Sequence, residues 1–465
     1  MQSMNNLSKV EPIRIIIPGN FYDCQIYRGY LYLWTMRGSV DVYDWNKLLN
    51  IKIIPRFSVR LPFVFGFMEG NFLYNGKVSY IFSEDKYNSL LLDQYNELVN
   101  NTIEISNEEL EFARIQEIDL PFNELPTDSE VYANNLYFAL ESGIYRRVLN
   151  QGDENKIIGP KDIKLWDCRI LSLRANKYPQ IALSAGSEGL FELNLVKDSA
   201  IKPQTLEKIE DTKILKISSK SSSFSNYSFL SIFSSSYVED SFMALFNWKS
   251  IKQLNNQSIK NKEQKVFRDF DELIDEKSIF GEVTTSDICW GIDDKIYRIV
   301  GDTLFILKFT NSANINKGES YYQHLKSVVL PANIGRAIGA GVSYFGIVLE
   351  FTNGILILRS DGYITTIPEE VIRWRVYPRS KNYLNHLHII FNDRFEIYSF
   401  NHDALINQRT KKIGIEYIPD DTPFYQSKNR ENTSKNKIYP SEVTTLQSGD
   451  FNKFDIGKDD YELPF

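Results

Sequence analysis

A chain of 465 residues exceeds one ordinary domain, although a closed β fold can absorb that length around a single axis. Apolar residues make up 43% and aromatic residues 14%, which is ample for a core and suits strands better than helices. Fifty-three basic against sixty acidic side chains leave a formal charge of −7, so a long phosphate-tracking surface is disfavoured and nucleic acid is not expected as a direct ligand.

The first residues, 1–12, are polar and read as a flexible N-terminus, with no charged stretch leading into a long apolar core. No segment approaches eighteen uninterrupted apolar residues, so no membrane span is expected. Arg14 to Pro18, Phe21 to Arg28, Tyr30 to Thr35 and Ser39 to Trp45 read as a four-stranded antiparallel meander, with Gly29 and Gly38 at positions where positive φ is tolerated. From Ile51 to Phe82 the pattern repeats less cleanly through FVFGFMEG, NFLYN and KVSYIF. The run YNSLLLD that follows fits either a helix or an outer strand. Ser106 with Glu109 is a capping-box pattern, and residues from about 93 to 115 read as a short helical insertion that decorates an inter-blade loop.

Blade-like units resume at about Gln116 to Leu149, Lys156 to Leu195, Thr205 to Trp248, Lys265 to Leu307, Leu325 to Pro368 and Val371 to Phe400. The serine-rich stretch SSKSSSFSNYSFLSIFSSSYVEDSF is threaded with Phe224, Tyr227, Phe229, Ile232 and Phe233, which a linker would not need, so strands are expected there. Lys249, Lys252, Lys260, Lys262 and Lys265 lie in an Asn/Gln-rich stretch that reads as a solvated loop. After about Ile418 alternation stops. Residues 419–465 read as a poorly structured, acidic C-terminal tail with spaced aromatics.

The recurring element is a hairpin: LYLWTMRGSVDVYDW from Leu31, LYFALESGIYRRVL from Leu136, IALSAGSEGLFELNL from Ile181, CWGIDDKIYRIV from Cys289, IVLEFTNGILILRSDG from Ile347 and HIIFNDRFEIYSF from His388. Hairpins returning at this interval over Arg14 to Phe400 resemble the β-propeller repeat proteins in architecture. The serial Trp-Asp of WD40 repeats, the Gly-Gly of kelch repeats and the Asp-box turn are missing, so no functional residues carry over. The fold class is therefore all-β, a β-propeller of seven or eight four-stranded blades over residues 13–418. Arg14 to Pro18 is expected to complete the sheet formed by Trp374 to Phe400, which removes two open edges.

Chemistry is sparsely marked. Cys24, Cys168 and Cys289 are far apart, each in an apolar strand-like run, a pattern unsuited to disulfides or zinc and in keeping with a reducing, cytoplasmic setting. Of four histidines, His386 and His388 share one strand face without a third ligand nearby, while His324 and His402 stand apart. Asp293 with Asp294, and Asp459 with Asp460, are adjacent pairs that do not define a cleft. GRAIGAGVSYFG lacks the strand–turn–helix context of a phosphate loop, and its glycines fit crowding of inner strands. No catalytic residue, cofactor or metal ligand is nominated. The expected function is a non-enzymatic protein-interaction module acting as scaffold, regulator or inhibitor within a macromolecular complex. The tail's Phe451, Phe454, Tyr461, Leu463 and Phe465 are the candidate partner-binding residues. The alternative is a propeller enzyme, hydrolase or lyase in type, acting on a small molecule or glycan at the central channel.

Overall fold

Alternating apolar residues separated by tight turns give a chain that folds as successive antiparallel meanders. The structure, a computed structural model, describes residues 10–70, 81, 84–150, 156–175, 180–194, 205–208, 218–224, 231–235, 241–251, 265–280, 288–292, 295–309, 322–331, 335–380 and 382–401. These form six four-stranded sheets and one five-stranded sheet. The innermost strands are Phe21–Tyr27, Asp128–Tyr132, Ser172–Ala175, Ser221–Phe224, Ile288–Ile292, Ala337–Ser343 and Arg373–Val376. Each packs against the next and the last against the first, so the sheets stand as blades around a closed ring.

The first strand, Ile13–Pro18, pairs antiparallel with Arg394–Ser399 and closes the five-stranded sheet, as the sequence led us to expect. Ile103–Glu104 then adds to its outer edge in parallel. The expectation of seven or eight four-stranded blades is corrected to six four-stranded blades and this five-stranded closing sheet. The weak unit at Ile51 to Phe82 is helical in its described part, with α1 (Trp45–Leu48) leading into a π turn and then α2 (Leu61–Gly66). Pro62 in the first turn of α2 presets its φ, and Phe63 and Phe67 bury an aromatic face that short strands could not have paired. YNSLLLD lies within α3 (Asp85–Val99), and α4 (Asn107–Ala113) starts on the Ser106–Glu109 capping box. The insertion therefore begins well before residue 93 and ends at Ala113, because Arg114–Asp119 is already the outer strand of the first blade.

The serine-rich region forms the strands Ser221–Phe224, Ser231–Ser235 and Phe242–Ile251, paired in one sheet with Lys265–Asp275. Trp34 is fully buried between the first and second blades with Val40, Leu136 and Phe138. The largest apolar cluster joins the closing sheet, the first blade and the helices through Ile15, Ile17, Trp45, Phe63, Phe67, Tyr95 and Ile397. Gly341, on an innermost strand, faces the Trp374 ring at 3.0 Å from where its Cβ would stand, so the glycine-rich run does let inner strands crowd together.

Candidate interaction face and the polar axis of the ring

Strand direction assigns every connection to one of two faces. Each innermost strand starts on the face where outer strands end, and second-to-third strand hairpins turn on that same face. We call it the entry face. The helical insertion leaves from the end of a third strand, Ser39–Asp44, and so lies on the opposite face. There the carbonyl of Gly66, at the end of α2, accepts from Asn385 Nδ2 at 3.0 Å, His386 Nε2 at 2.7 Å and Ser399 Oγ at 2.8 Å. The three donors satisfy a helix-terminal carbonyl that would otherwise be orphaned in the core.

His386 and His388 are both fully buried, and their tautomers follow from their partners. Nε2–H of His386 must donate to the Gly66 carbonyl, which leaves Nδ1 to accept from Nε2–H of His388 at 3.2 Å. His388 Nδ1 then accepts from the Tyr377 hydroxyl at 3.1 Å. All four ring nitrogens are used. Burial, opposed by the Gly66 carbonyl, lowers His386 to about 4, and burial with the neighbouring His386 and Arg375 lowers His388 well below its ordinary value. The pair is a neutral structural relay, and among the described residues no three His, Cys, Asp or Glu side chains group as metal ligands.

At the axis, charged residues on four innermost strands form one network. Asp23 accepts from Arg375 Nε at 2.7 Å, Arg375 Nη2 at 2.6 Å, Ser129 Oγ at 2.7 Å and the Cys24 amide at 2.8 Å. Asp128 accepts from Arg375 Nη2 at 3.0 Å, Arg174 Nη1 at 3.0 Å and the amides of Ser129 and Leu173. Arg373 reaches across the first blade to the Thr127 carbonyl at 3.1 Å. Burial would raise the Asp128 carboxyl, but Arg174, Arg375, Arg373 and the Leu173 amide outweigh it and hold it at about 2. Burial also pushes the Cys24 thiol up, so it stays protonated. Both carboxylates are saturated by donors and carry no free oxygen toward a substrate. Their geometry is that of a circumferential clasp linking the closing sheet to the first three blades.

The entry face carries a different feature. Between the outer strand Arg114–Asp119 and the inner strand Asp128–Tyr132, the corner Leu120 to Pro126 holds Phe122 at φ 59° and ψ 10° and Asn123 at φ 54°. Left-handed backbone is uncommon for a bulky residue and costs on the order of 1 kcal/mol or more. Phe122 is nonetheless 76% exposed, so the strain secures no burial of the ring. Neighbours impose it. Leu120 is buried and its amide donates to the Gly38 carbonyl at 2.9 Å, while Glu124 accepts from the amide and hydroxyl of Ser142 at 3.3 and 3.1 Å. Gly38 has φ +81°, and a Cβ there would fall 2.4 Å from the Asn123 carbonyl oxygen, so only glycine allows the two loops to nest. Met36, 52% exposed, stands on that neighbouring loop.

The sequence reading named neither the charged residues of the clasp nor Phe122. The available signals were charges inside strand runs, as in FYDCQIY and RWRV, and an aromatic bracketed by Pro121 and Pro126. Cys24 and Cys289 are buried free thiols as expected, whereas Cys168 lies outside any strand and is half-buried. His324 sits on an outer strand and bonds Ser327. Lys249 and Lys265 fall in strands. Lys252, Lys260, Lys262, Asp293, Asp294, His402, Asp459, Asp460 and the tail residues Phe451, Phe454, Tyr461, Leu463 and Phe465 lie outside the described residues. Among the described residues no helix is long and apolar enough to cross a membrane.

No family model matches the chain, and no curated protein matches it in sequence. Solved structures share the propeller architecture. A Cps50 (Swd1) β-propeller domain from Myceliophteria thermophila is 8% identical at a TM-score of 0.43, covering 83% of this chain and 99% of that one. BBS1N, crystallised in complex with ARL6DN, is 8% identical at 0.40, covering 84% and 96%. BamB from Moraxella catarrhalis is 8% identical at 0.34, covering 80% of each. Likeness at this distance concerns the fold and carries no function across.

Proposed function

We propose that the chain is a non-enzymatic protein-interaction module, working as scaffold, regulator or inhibitor within a macromolecular complex, and that the Phe122 corner of the entry face is its anchor. One observation carries the reading: an aromatic side chain is 76% exposed on a strained backbone that two flanking loops hold rigid. An anchor presented in its bound geometry loses little entropy on docking, and buried aromatics dominate interface energies. The saturated clasp at the axis fits a rigid support better than a reaction centre. The buried free thiols Cys24 and Cys289 fit a reducing, cytoplasmic setting.

The test compares the full chain with Phe122→Asp, each tagged and isolated from its native cell under gentle salt. An unchanged melting temperature is expected, because the ring is exposed, together with loss of at least one stoichiometric protein partner that the parent retains. Identical partner sets for the two proteins would remove Phe122 from the interface. No stoichiometric partner with either would refute the interaction reading as a whole.

A further inference from the structure

Each blade ends in an outer strand whose far side has no neighbour in its own sheet, and such edges are ordinarily blunted by shortness, by charge or by a covering segment. In this ring six of the seven are blunted. Ile163–Trp166, Thr205–Lys208 and Ile364–Ile367 are four residues each. Lys265–Asp275 carries Lys265, Arg268, Asp269, Asp271, Glu272 and Asp275 among its eleven residues. Arg114–Asp119 carries Arg114, Glu117 and Asp119, and its Gln116 side chain exchanges two bonds with the Ile158 backbone. Ile103–Glu104 covers the edge of the closing sheet. The exception is the outer strand of the fifth blade, Tyr322–Val329, whose eight residues YQHLKSVV include Lys326 as the only permanently charged side chain.

Leu325 and Val329 on this strand are 49% and 70% exposed, with Ser327 exposed between them. Lys326 and Val328 are half-buried, Val328 against the apolar cluster shared with the sixth blade. The Leu330 amide donates to the Asp302 carbonyl at 2.8 Å, which fixes the phase of the ladder: Val328 and Lys326, opposite Leu304 and Ile306, bond inward. The backbone N–H and C=O of Ser327 and Val329 therefore point out of the sheet, and among the described residues no strand pairs with them. An edge of this kind accepts a further strand, and this one is complementary to itself. Set antiparallel with Ser327 opposite its own copy, the two strands exchange the outward bonds of Ser327 and place Leu325 of each copy opposite Val329 of the other. Lys326 falls opposite Val328, so no like charges are opposed. We propose that two copies of this chain pair along Tyr322–Val329 across a two-fold axis at Ser327, joining two four-stranded blades into one eight-stranded sheet. The bulge opposite Ile306 and Leu307 ends the regular stretch, so the contact is short. A single strand pair buries less than the roughly 1,200 Å² at which stable interfaces begin, which makes the dimer weak and concentration-dependent.

Sedimentation velocity of the full chain at about 5 to 200 μM tests the pairing, and the mass is expected to rise with concentration from 54.0 kDa toward twice that value. Val329→Lys should weaken self-association at least tenfold and leave the melting temperature unchanged, because the side chain is 70% exposed. Ser327→Pro should weaken it too, since the outward N–H serves no bond within the blade. Should that proline lower the melting temperature, Val329→Lys decides alone. Ser327→Cys reads the register. Opposed Cα atoms about 5.5 Å apart admit a disulfide, so mild oxidation should give a covalent dimer that the parent, with Cys24 and Cys289 buried, does not form. Val329→Cys, opposite Leu325, should form none. Phe122→Asp should leave the dimer intact. A monomer at every concentration would overturn the proposal, and so would a dimer that persists in Val329→Lys. A dimer lost in Phe122→Asp would place the contact on the entry face and overturn it as well. Cross-linking through Val329→Cys in place of Ser327→Cys would overturn the two-fold at Ser327.

Discussion

Asp128 is bound by two guanidiniums and two backbone amides, and removing its charge would leave Arg375 and Arg174 partly uncompensated in a buried site. Breaking one partner of such a network costs about 3–5 kcal/mol, far more than an exposed ion pair is worth. Asp128→Asn should lower the urea midpoint accordingly, and an unchanged midpoint would show that the clasp does not hold the ring. The histidine relay makes a second, pH-dependent contribution. Both folded pKa values are depressed, so the unfolded chain binds more protons and stability rises with pH. The contribution is complete above the unfolded value near ~6.5 and is lost as pH falls toward the His386 value of about 4. For His386 alone the loss between pH 7 and 5 is about 2 kcal/mol. His388→Gln can accept from Tyr377 and donate to His386 without titrating, so its urea midpoint should vary less with pH than the parent's. An equally steep dependence would remove His388 from the relay. The clasp was not legible in the sequence, and of the relay only the shared strand face of His386 and His388 was. An aspartate in FYDCQIY looks like a solvated interruption until a strand from the far end of the chain brings Arg375 beside it, and paired histidines on a strand look alike whether they ligate or relay.

Among elements, strands were read far better than their grouping. Nearly every run marked as extended is a strand, including the serine-rich stretch, because alternation and turn residues are local properties. Hairpin periodicity has no phase, however. The outer strand Arg114–Asp119 was divided between the insertion and the unit Gln116 to Leu149 and belongs to the first blade, since the insertion separates it from its hairpin partner Ser39–Asp44 by about 70 residues. α2 was read as strand because FVFGF is β-rich in composition. The bonds that His386 and Ser399 donate to its terminal carbonyl, on Gly66, override that preference. The Phe122 corner offers a prediction at this scale. Glycine adopts φ near +60° without penalty, so Phe122→Gly should leave the protein as stable as the parent or up to about 1 kcal/mol more stable. It should at the same time weaken partner binding. Strain kept at an exposed aromatic with no stability return is the signature of a functional position. A variant destabilised by more than 1 kcal/mol would mean that the Phe122 side chain supports the fold.

At the scale of the molecule, the ring's hydrogen bonding is complete by Ser399, and the last described residue is Asn401. Deleting residues 419–465 should therefore leave the cooperative melting transition in place, within about 2 °C, when followed by circular dichroism. A shift of ten degrees would make the tail part of the core. The closure itself has a consequence in time. Arg14 meets Glu396 across 382 positions of sequence, so the first strand made is among the last to find its partner. At translation rates of about 5–20 residues per second it waits on the order of tens of seconds. For that interval Arg-Ile-Ile-Ile-Pro is an apolar strand with no neighbour, and the blades already assembled present an open gap of matching shape. Two nascent chains side by side on one messenger could each fill the other's gap. Domain-swapped dimers joined through residues 13–18 are thus the characteristic misassembly of this ring, and slower translation after the sixth blade would increase their yield.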